Sequence, residues 1–588
     1  MKAASVAAAL LGPATTGWTL EPAQSQSSLH SAQPSVYEAS DGSSACVWLT
    51  ASDHNMSNST AQALAGWLAS GAHCEAPTQK GFLAIWVDSS GRLARVAAGL
   101  DLSIPGAFRR LGKTIAIAPS LRALVDLDRQ TANVFLPAAA SAMFSWIWRP
   151  TDNEETPFRE IHRIPPGWVV DFGWPELTRL HPWHDSWRWR VDIESFDEAA
   201  PIAMRNAIQS ALVDSLPTDS RVAVAMSGGL DSTSLAALAA GPLQRDVDAH
   251  LHVPLASAMS ARLGVDPDDT PWARKVAARF PRISLHSHPT DPACSLISTL
   301  RDGIWNTAAP MANPWSLCWW RQVSAAAAAD GARQLVTGQS GNTTFSGPPV
   351  WQQKTAAGFR LGRSWEPSLV GARLRRIRDF GRGRSRSARA QAGTELIART
   401  RLAGLRPETT ELMDRRTWSL PASPTEAILT AMARGVPSPF SLAAYTPGIA
   451  LSDPLGHPGV VGVAISVPDG AWCTDGLTRS LARRSARGLL PEEVRLRRSR
   501  GSQAADVPVV RRLQRAEFLF AIDEISGSPT ASAAVDADVL RSSLAIWDIA
   551  DPALQTSWSN YEGRVLALGL YLAWWDQYRS GPADPVRF

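Results

Sequence analysis

The sequence predicts an α/β chain in two parts, a β-rich first part followed by a doubly wound parallel sheet with extra helices. Three observations predict it. The short apolar run Val222-Ala223-Val224-Ala225 ends in Met226-Ser227-Gly228-Gly229 and passes directly into the strong helix formers of residues 234–240, which reads as strand, loop and helix. Beyond it, strand-like runs alternate with helix-like ones, the pattern of a parallel sheet that takes ligands at the C-terminal ends of its strands. Before it, residues 82–98 read as a β-hairpin around the turn Ser89-Ser90-Gly91-Arg92.

A chain of 588 residues exceeds the size at which one core stops growing, so two or more domains are expected, and we divide it at 1–195 and 196–588. A composition of 45% hydrophobic and 19% charged residues with a net charge of +4 is that of an ordinary globular protein. The five cysteines, Cys46, Cys74, Cys294, Cys318 and Cys473, are odd in number and lack C-x-x-C spacing. They suggest neither a disulfide framework nor a zinc site, which suits a reducing cytoplasm. No apolar run approaches the ~18 residues of a membrane span. Met1-Lys2 and the apolar residues after it look faintly like a signal peptide, but the glycine loop at Gly228-Gly229 argues for a cytoplasmic location.

Little can be read from residues before about 75, which are rich in Ala, Ser and Gln. After the hairpin, Thr114-Ile115-Ala116-Ile117-Ala118 adds a strand, and Pro165-Pro166-Gly167 is a rigid turn opening another at Trp168-Val169-Val170. The polar and aromatic residues 183–189 link the two parts, and a helix over 196–216 leads into the loop.

At that loop Gly228 and Gly229 let successive backbone N–H groups curl into one concavity, to which the following helix adds its positive N-terminal end. This is an anion cradle. Within the string Ser227-Gly228-Gly229-Leu230-Asp231-Ser232-Thr233 the hydroxyls can donate to phosphate oxygens, and Asp231, a carboxylate among phosphates, makes sense as a ligand for Mg²⁺. No Gly-Lys-Ser/Thr follows, so this is not a Walker A loop. The competing reading is a tight turn without ligand.

Residues 247–255 form the next strand, with Val253 near the nucleotide end, and residues 270–280 the next helix. The i, i+2 pairs His250/His252 and His286/His288 read either as metal ligands or, preferably, as residues of neighbouring strands lining the cleft. Leu335-Val336-Thr337-Gly338-Gln339-Ser340-Gly341-Asn342-Thr343-Thr344-Phe345-Ser346-Gly347 again supplies glycines and hydroxyls at a strand end, a second phosphate-contacting loop or else a ligand-free one. Residues 360–416 are basic, with arginines from Arg373 to Arg389 among Gly and Ser. Being Arg-rich and aromatic-poor, they read as no nucleic-acid site but as a lid, a docking surface or an ordinary solvated loop. Residues 477–489 read as a helix, as do 561–575.

Ser227-Gly228-Gly229-Leu230-Asp231-Ser232-Thr233 resembles the pyrophosphate loop of the ATP pyrophosphatases, in the form found in asparagine synthetases. The resemblance runs from about Gly81 to Asp506. It implies that the first part is a glutaminase-like sandwich of α+β type, here inactive, because Lys2 stands where those glutaminases carry their N-terminal cysteine and no Met-Cys-Gly occurs in the chain. It also implies ATP and Mg²⁺, with Gly338, Gln339 and Val253 at the nucleotide. The family's second loop, "SGEGSDE", is acidic; Gln339, Asn342 and Thr343 replace its acids here, leaving Asp231 the firmest metal ligand and Asn342 a weaker one. Arg500 falls where the family places a catalytic Lys that stabilises negative charge on the adenylate, which a guanidinium can also do.

The "TGQ…GN" form and Asn313-Pro314-Trp315 resemble the branch that closes lasso-peptide macrolactams. That implies adenylation of an Asp or Glu side chain in a precursor peptide, attack by the peptide's own N-terminal amine, and two partners, a leader peptidase and a leader-peptide recognition protein. The alternatives are an ammonia-dependent asparagine synthetase, a β-lactam-synthetase-like enzyme, or a degraded ATP-binding scaffold.

Overall fold

Eleven strands fill the first part of the computed structural model: β1 (Val6–Ala14), β2 (Gly17–Gln24), β3 (Ser35–Glu38), β4 (Ser44–Leu49), β5 (Phe82–Val87), β6 (Leu93–Ala98), β7 (Gly106–Leu111), β8 (Thr114–Ala118), β9 (Ile161–Ile164), β10 (Trp168–Gly173) and β11 (Thr178–Pro182). The structure describes residues 6–14, 17–24, 35–38, 43–49, 54–72, 76, 81–100, 104–143, 154–173, 178–182, 190–193, 198–216, 221–254, 269–348, 404–414, 423–434, 449–474, 477–498, 507–546 and 552–581. The strands pair antiparallel into a five-stranded sheet, β2-β1-β8-β7-β9, and a six-stranded one, β11-β10-β6-β5-β4-β3.

Side chains of β5 alternate between two cores, as a period of two requires. Leu83, Ile85 and Val87 join Ile115, Ile117, Val170 and Phe172 between the sheets. Phe82 and Ala84 face the other way, onto Ala61, Leu64, Trp67 and Leu68 of the helix His54–Ala69. Both faces are thus buried, so Phe-Leu-Ala-Ile-Trp-Val reads as a continuous apolar run. The hairpin, the strand at Thr114–Ala118 and the strand opened by the Pro-Pro-Gly turn all form. Residues before 75, from which little could be read, supply four strands and a helix.

The second part is built on β12 (Val222–Ala225), β13 (Val247–Val253), β14 (Ile283–Pro289), β15 (Gln334–Val336) and β16 (Ala450–Ser452), all parallel and ordered β14-β13-β12-β15-β16. Numbered within the sheet this order is 3-2-1-4-5, so the direction of winding reverses between β12 and β15. There the loops after two adjacent strands diverge and leave a crevice at the C-terminal edge. Val247, Ala249 and Leu251 of β13 pack with the helices Ala199–Ser215 and Leu230–Ala240 on one face. Ala223 and Leu335 meet Val323 and Ala327 of the helix Leu317–Ala329 on the other. The chain is therefore of mixed α/β class with a parallel sheet.

The helices Leu296–Thr307, Arg515–Gly527 and Pro552–Ser580 share a core with Leu121, Leu124 and Val125 of the helix Leu121–Leu127, which joins the five-stranded sheet to the second part. Arg122 locks this contact, its guanidinium 4.6 and 4.5 Å from the ring centres of Trp305 and Tyr578.

The expected helix over 477–489 is corrected. Leu477–Thr478 is a short strand, Arg479 turns the chain with φ of 59°, and only Ser480–Ser485 is α-helical. Of the basic segment 360–416, the structure describes 404–414, with a helix at Pro407–Asp414; Arg373 to Arg389 lie outside the described residues. Among the described residues no helix is long and apolar enough to cross a membrane.

Candidate functional site

The loop after β12 leaves the sheet in register, with Met226 N–H donating to His250 O at 2.9 Å. Gly228 has φ of +73°, and a Cβ there would lie 2.3 Å from Asp269 O, so both conformation and space require glycine. Ser232 Oγ accepts from Ser227 N–H at 3.0 Å and lies 3.0 Å from Ser227 Oγ. The buried Thr233 donates its hydroxyl to Gly229 O at 2.7 Å. Of the three hydroxyls expected to face a phosphate, Ser232 and Thr233 therefore brace the loop from within, while Ser227 stays exposed. No side chain caps the helix at Gly229, so its N-terminal end faces the loop uncovered.

Asp231 is the one residue of the helix Leu230–Ala240 that is not buried. Its Oδ1 accepts a short hydrogen bond from Ser346 Oγ, and its Oδ2 lies 3.8 Å from Arg479 Nη1. Arg479 Nη2 also donates to Asn342 Oδ1 at 3.1 Å. One guanidinium thus spans the acid of the first loop and the amide of the second. The loops pack directly: a Cβ on Gly341 would lie 2.7 Å from both Cβ and Cγ of Asp231.

Two residues here escaped the sequence reading. Asp453, just beyond β16, accepts from Ser340 N–H at 2.8 Å and holds the start of the second loop. Arg479 adopts a left-handed conformation that costs a non-glycine residue on the order of 1–3 kcal/mol, a strain typical of functional positions. Asp453-Pro454 marks a strand end, but nothing local announces Arg479. Ser346, within the second glycine-rich string, orients Asp231.

Gln339, Asn342 and Thr343 are partly exposed on the second loop, Gly338 lies against Ser232, and Val253 is partly exposed at the end of β13. Arg500 lies outside the described residues. Nearby, Arg497 pairs with Asp269 at 2.5 Å and stacks 4.8 Å from the centre of the Trp272 ring, and its carbonyl accepts from Arg483 Nη2 at 2.8 Å.

One carboxylate with an amide oxygen beside it suits Mg²⁺, which keeps waters and shares substrate phosphates instead of demanding a protein cage. Among the described residues no group of three or more His, Cys, Asp or Glu side chains could hold a metal. Because Arg479 already engages both Asp231 and Asn342, a cation at these oxygens competes with the guanidinium.

The two histidine pairs do lie on neighbouring strands, with His250 opposite His286 and His252 opposite His288. His250 Nδ1 is 3.1 Å from His288 Nε2, His286 Nε2 is 3.2 Å from Asp248 Oδ1, and His252 stacks on Trp319 at 5.5 Å. Burial, reinforced by His288 and His286, pushes the His250 pKa down to about 4. A base whose folded pKa lies below its unfolded value leaves the unfolded chain binding more protons in acid, so stability is intact above about pH 6.5 and lost as pH falls towards 4. The wild type is expected to lose up to about 3 kcal/mol more than His250→Leu between pH 7 and pH 4, read from urea midpoints. Parallel profiles would refute this.

Cys46 is buried between the two sheets, and burial pushes its thiol up to about 12.

The family model described as asparagine synthase matches residues 203–575. No curated protein matches the chain. Among solved structures, glutamine phosphoribosylpyrophosphate amidotransferase from B. subtilis, complexed with ADP and GMP, is 8% identical, over 49% of this chain and 75% of its own, with a TM-score of 0.18. The allosteric regulatory enzyme of purine biosynthesis is 10% identical, over 44% of this chain and 62% of its own, with a TM-score of 0.17. Likenesses at these scores carry no argument.

Proposed function

The chain belongs to the asparagine synthase family, ATP-dependent ligases that release AMP and pyrophosphate, and we propose that it uses this chemistry to close a macrolactam in a precursor peptide. An Asp or Glu side chain of the peptide attacks the α-phosphorus of ATP, giving an acyl-adenylate and pyrophosphate. The peptide's own N-terminal amine then displaces AMP. The observation that carries the nucleotide half of this reading is the Asp231–Arg479–Asn342 bridge, which sets one acid and one cation between two glycine loops at the switch point of a parallel sheet.

Gly228, Leu230 and the helix N-terminus hold the pyrophosphate end through backbone N–H groups and Ser227 through its exposed hydroxyl, while Gly229, Ser232 and Thr233 shape the cradle. Val253, Gly338 and Gln339 border the nucleotide. Asp231, with Asn342 beside it, would hold Mg²⁺, which when bound would neutralise charge at the phosphates. Arg479 exchanges its ion pair with Asp231 and its hydrogen bond to Asn342 for contacts to the departing pyrophosphate, and Arg500, by its place in the sequence, is the residue that would stabilise the charge on the adenylate. Cys46, buried between the sheets with its thiol pushed up to about 12, is unsuited to attack glutamine, which agrees with a substrate that brings its own amine. An α-amine of pKa ~7.7–8.0 is already partly neutral near pH 7, and holding both ends of one peptide makes the attack intramolecular.

The test uses a short precursor peptide encoded beside the gene. With ATP and Mg²⁺ the peptide should lose one water, about 18 Da, and release one AMP and one pyrophosphate per ring. Aspartate with ammonia should give no asparagine. Asparagine without cyclisation would establish the asparagine synthetase instead, and no AMP with either substrate the degraded scaffold. A leader peptidase and a leader-peptide recognition protein are the partners this reading implies.

A further inference from the structure

We infer that Cys294 and Cys318 form a thiol pair that peroxide converts reversibly into a disulfide, a modification site apart from the nucleotide loops. The two residues begin different helices: Cys294 lies just before Leu296–Thr307, and Cys318 is in the first turn of Leu317–Ala329. The fold aims both sulfurs at one point. Thr299 Oγ1 lies 3.6 Å from Cys294 Sγ and accepts from Cys318 Sγ at 3.4 Å, and Cys318 Sγ also lies 3.9 Å from Cys294 O and 3.7 Å from Ser295 O, so both sulfurs sit around one hydroxyl at the start of one helix.

The frame around them is stiff. Gln514 clamps the Cys294 segment, its Nε2 donating to Cys294 O at 2.8 Å and its Oε1 accepting from Leu296 N–H at 2.9 Å. Thr299 is tied to Ser295 O at 2.6 Å. Neither sulfur is sealed in the core, as Cys46 is; both residues are part-exposed.

The hydrogen bond from Cys318 lowers the Cys294 pKa to about 6 against the opposing effect of burial, with Thr299 and Arg321 helping and Asp291 resisting. The same sharing pushes Cys318 up. Cys294 is thus the thiolate near pH 7 and Cys318 the retained thiol, the arrangement in which one sulfur attacks and the other resolves.

In the first step Cys294 S⁻ attacks one oxygen of hydrogen peroxide, the O–O bond breaks, and hydroxide leaves and is protonated to water. In the second, Cys318 sulfur attacks the resulting Cys294 sulfenic acid, the S–O bond breaks, and the hydroxyl departs with the Cys318 proton as water. The two thiols lose two electrons and two protons, and the peroxide takes them up as two waters.

The test treats the reduced full chain with a small excess of hydrogen peroxide and maps its thiols by mass spectrometry. A loss of about 2 Da with a 294–318 cross-link, reversed by dithiothreitol, is expected. Cys318→Ser should accumulate a dimedone-reactive sulfenic acid at Cys294, and Cys294→Ser should give neither the cross-link nor an adduct at Cys318. Between pH 7.5 and 5.5 the rate should fall roughly fourfold, as the thiolate fraction of a group of pKa about 6 does, and not the roughly hundredfold of an ordinary thiol. First oxidation at Cys473, or no cross-link in the wild-type chain, would overturn the assignment.

Discussion

Asp231→Ala is expected to lower peptide-dependent release of AMP and pyrophosphate by at least about 10³-fold, roughly 4 kcal/mol of transition-state stabilisation. The substitution removes the carboxylate proposed to hold Mg²⁺. It also leaves Ser346 without its acceptor and Arg479 without its counter-charge. Asp231→Asn separates charge from shape, because the amide can still accept from Ser346 but carries no charge. A loss of similar size in the Asn variant would assign the effect to charge, whereas near-normal turnover would refute the role given to Asp231. Asp231 lies on the part-exposed side of an otherwise buried helix, so both variants should melt close to the wild type.

Glu562→Ala is expected to destabilise the fold by about 3–5 kcal/mol, read from the midpoint of chemical denaturation. Glu562 Oε2 accepts from Arg511 Nη2 at 2.9 Å, with side-chain exposures of 6% and 3%, and the guanidinium lies 5.3 Å from the centre of the Trp315 ring. Burial pushes the Arg511 pKa down while the Glu562 carboxylate pulls it back up, so removing the acid takes a counter-charge from a guanidinium that burial already disfavours. The double variant Arg511→Met, Glu562→Leu should recover most of the loss, because replacing both charges by apolar side chains removes the desolvation cost together with the attraction. A loss below about 1 kcal/mol for Glu562→Ala alone would contradict this.

The nucleotide loop was legible in the chain because everything that makes it is contiguous. A β-branched run, two glycines and a run of alanines and leucines each act on their own backbone, and within residues 222–240 they act in order. The strands before residue 75 were not, since β1 has its place only once Ala9 lies opposite Ile117. Such pairing depends on distant partners and leaves a weak local pattern. Arg479 escaped for a related reason. Its surroundings, with leucine, serine and further arginines, suit a helix, and only contact with Asp231 and Asn342 holds it in a left-handed turn that ordinarily belongs to glycine.

The amino-acid sequence by itself determined the α/β class, the strand–glycine–helix unit and the family to which they belong, because these depend on short-range propensity and on a compact string of residues. Only the tertiary structure decided that Ser232 and Thr233 brace the loop from inside, that Arg479 joins two loops far apart in the chain, and that Cys294 meets Cys318. Each of those is a distance between side chains, set by how the helices and the parallel sheet pack and not by the order of residues along the chain.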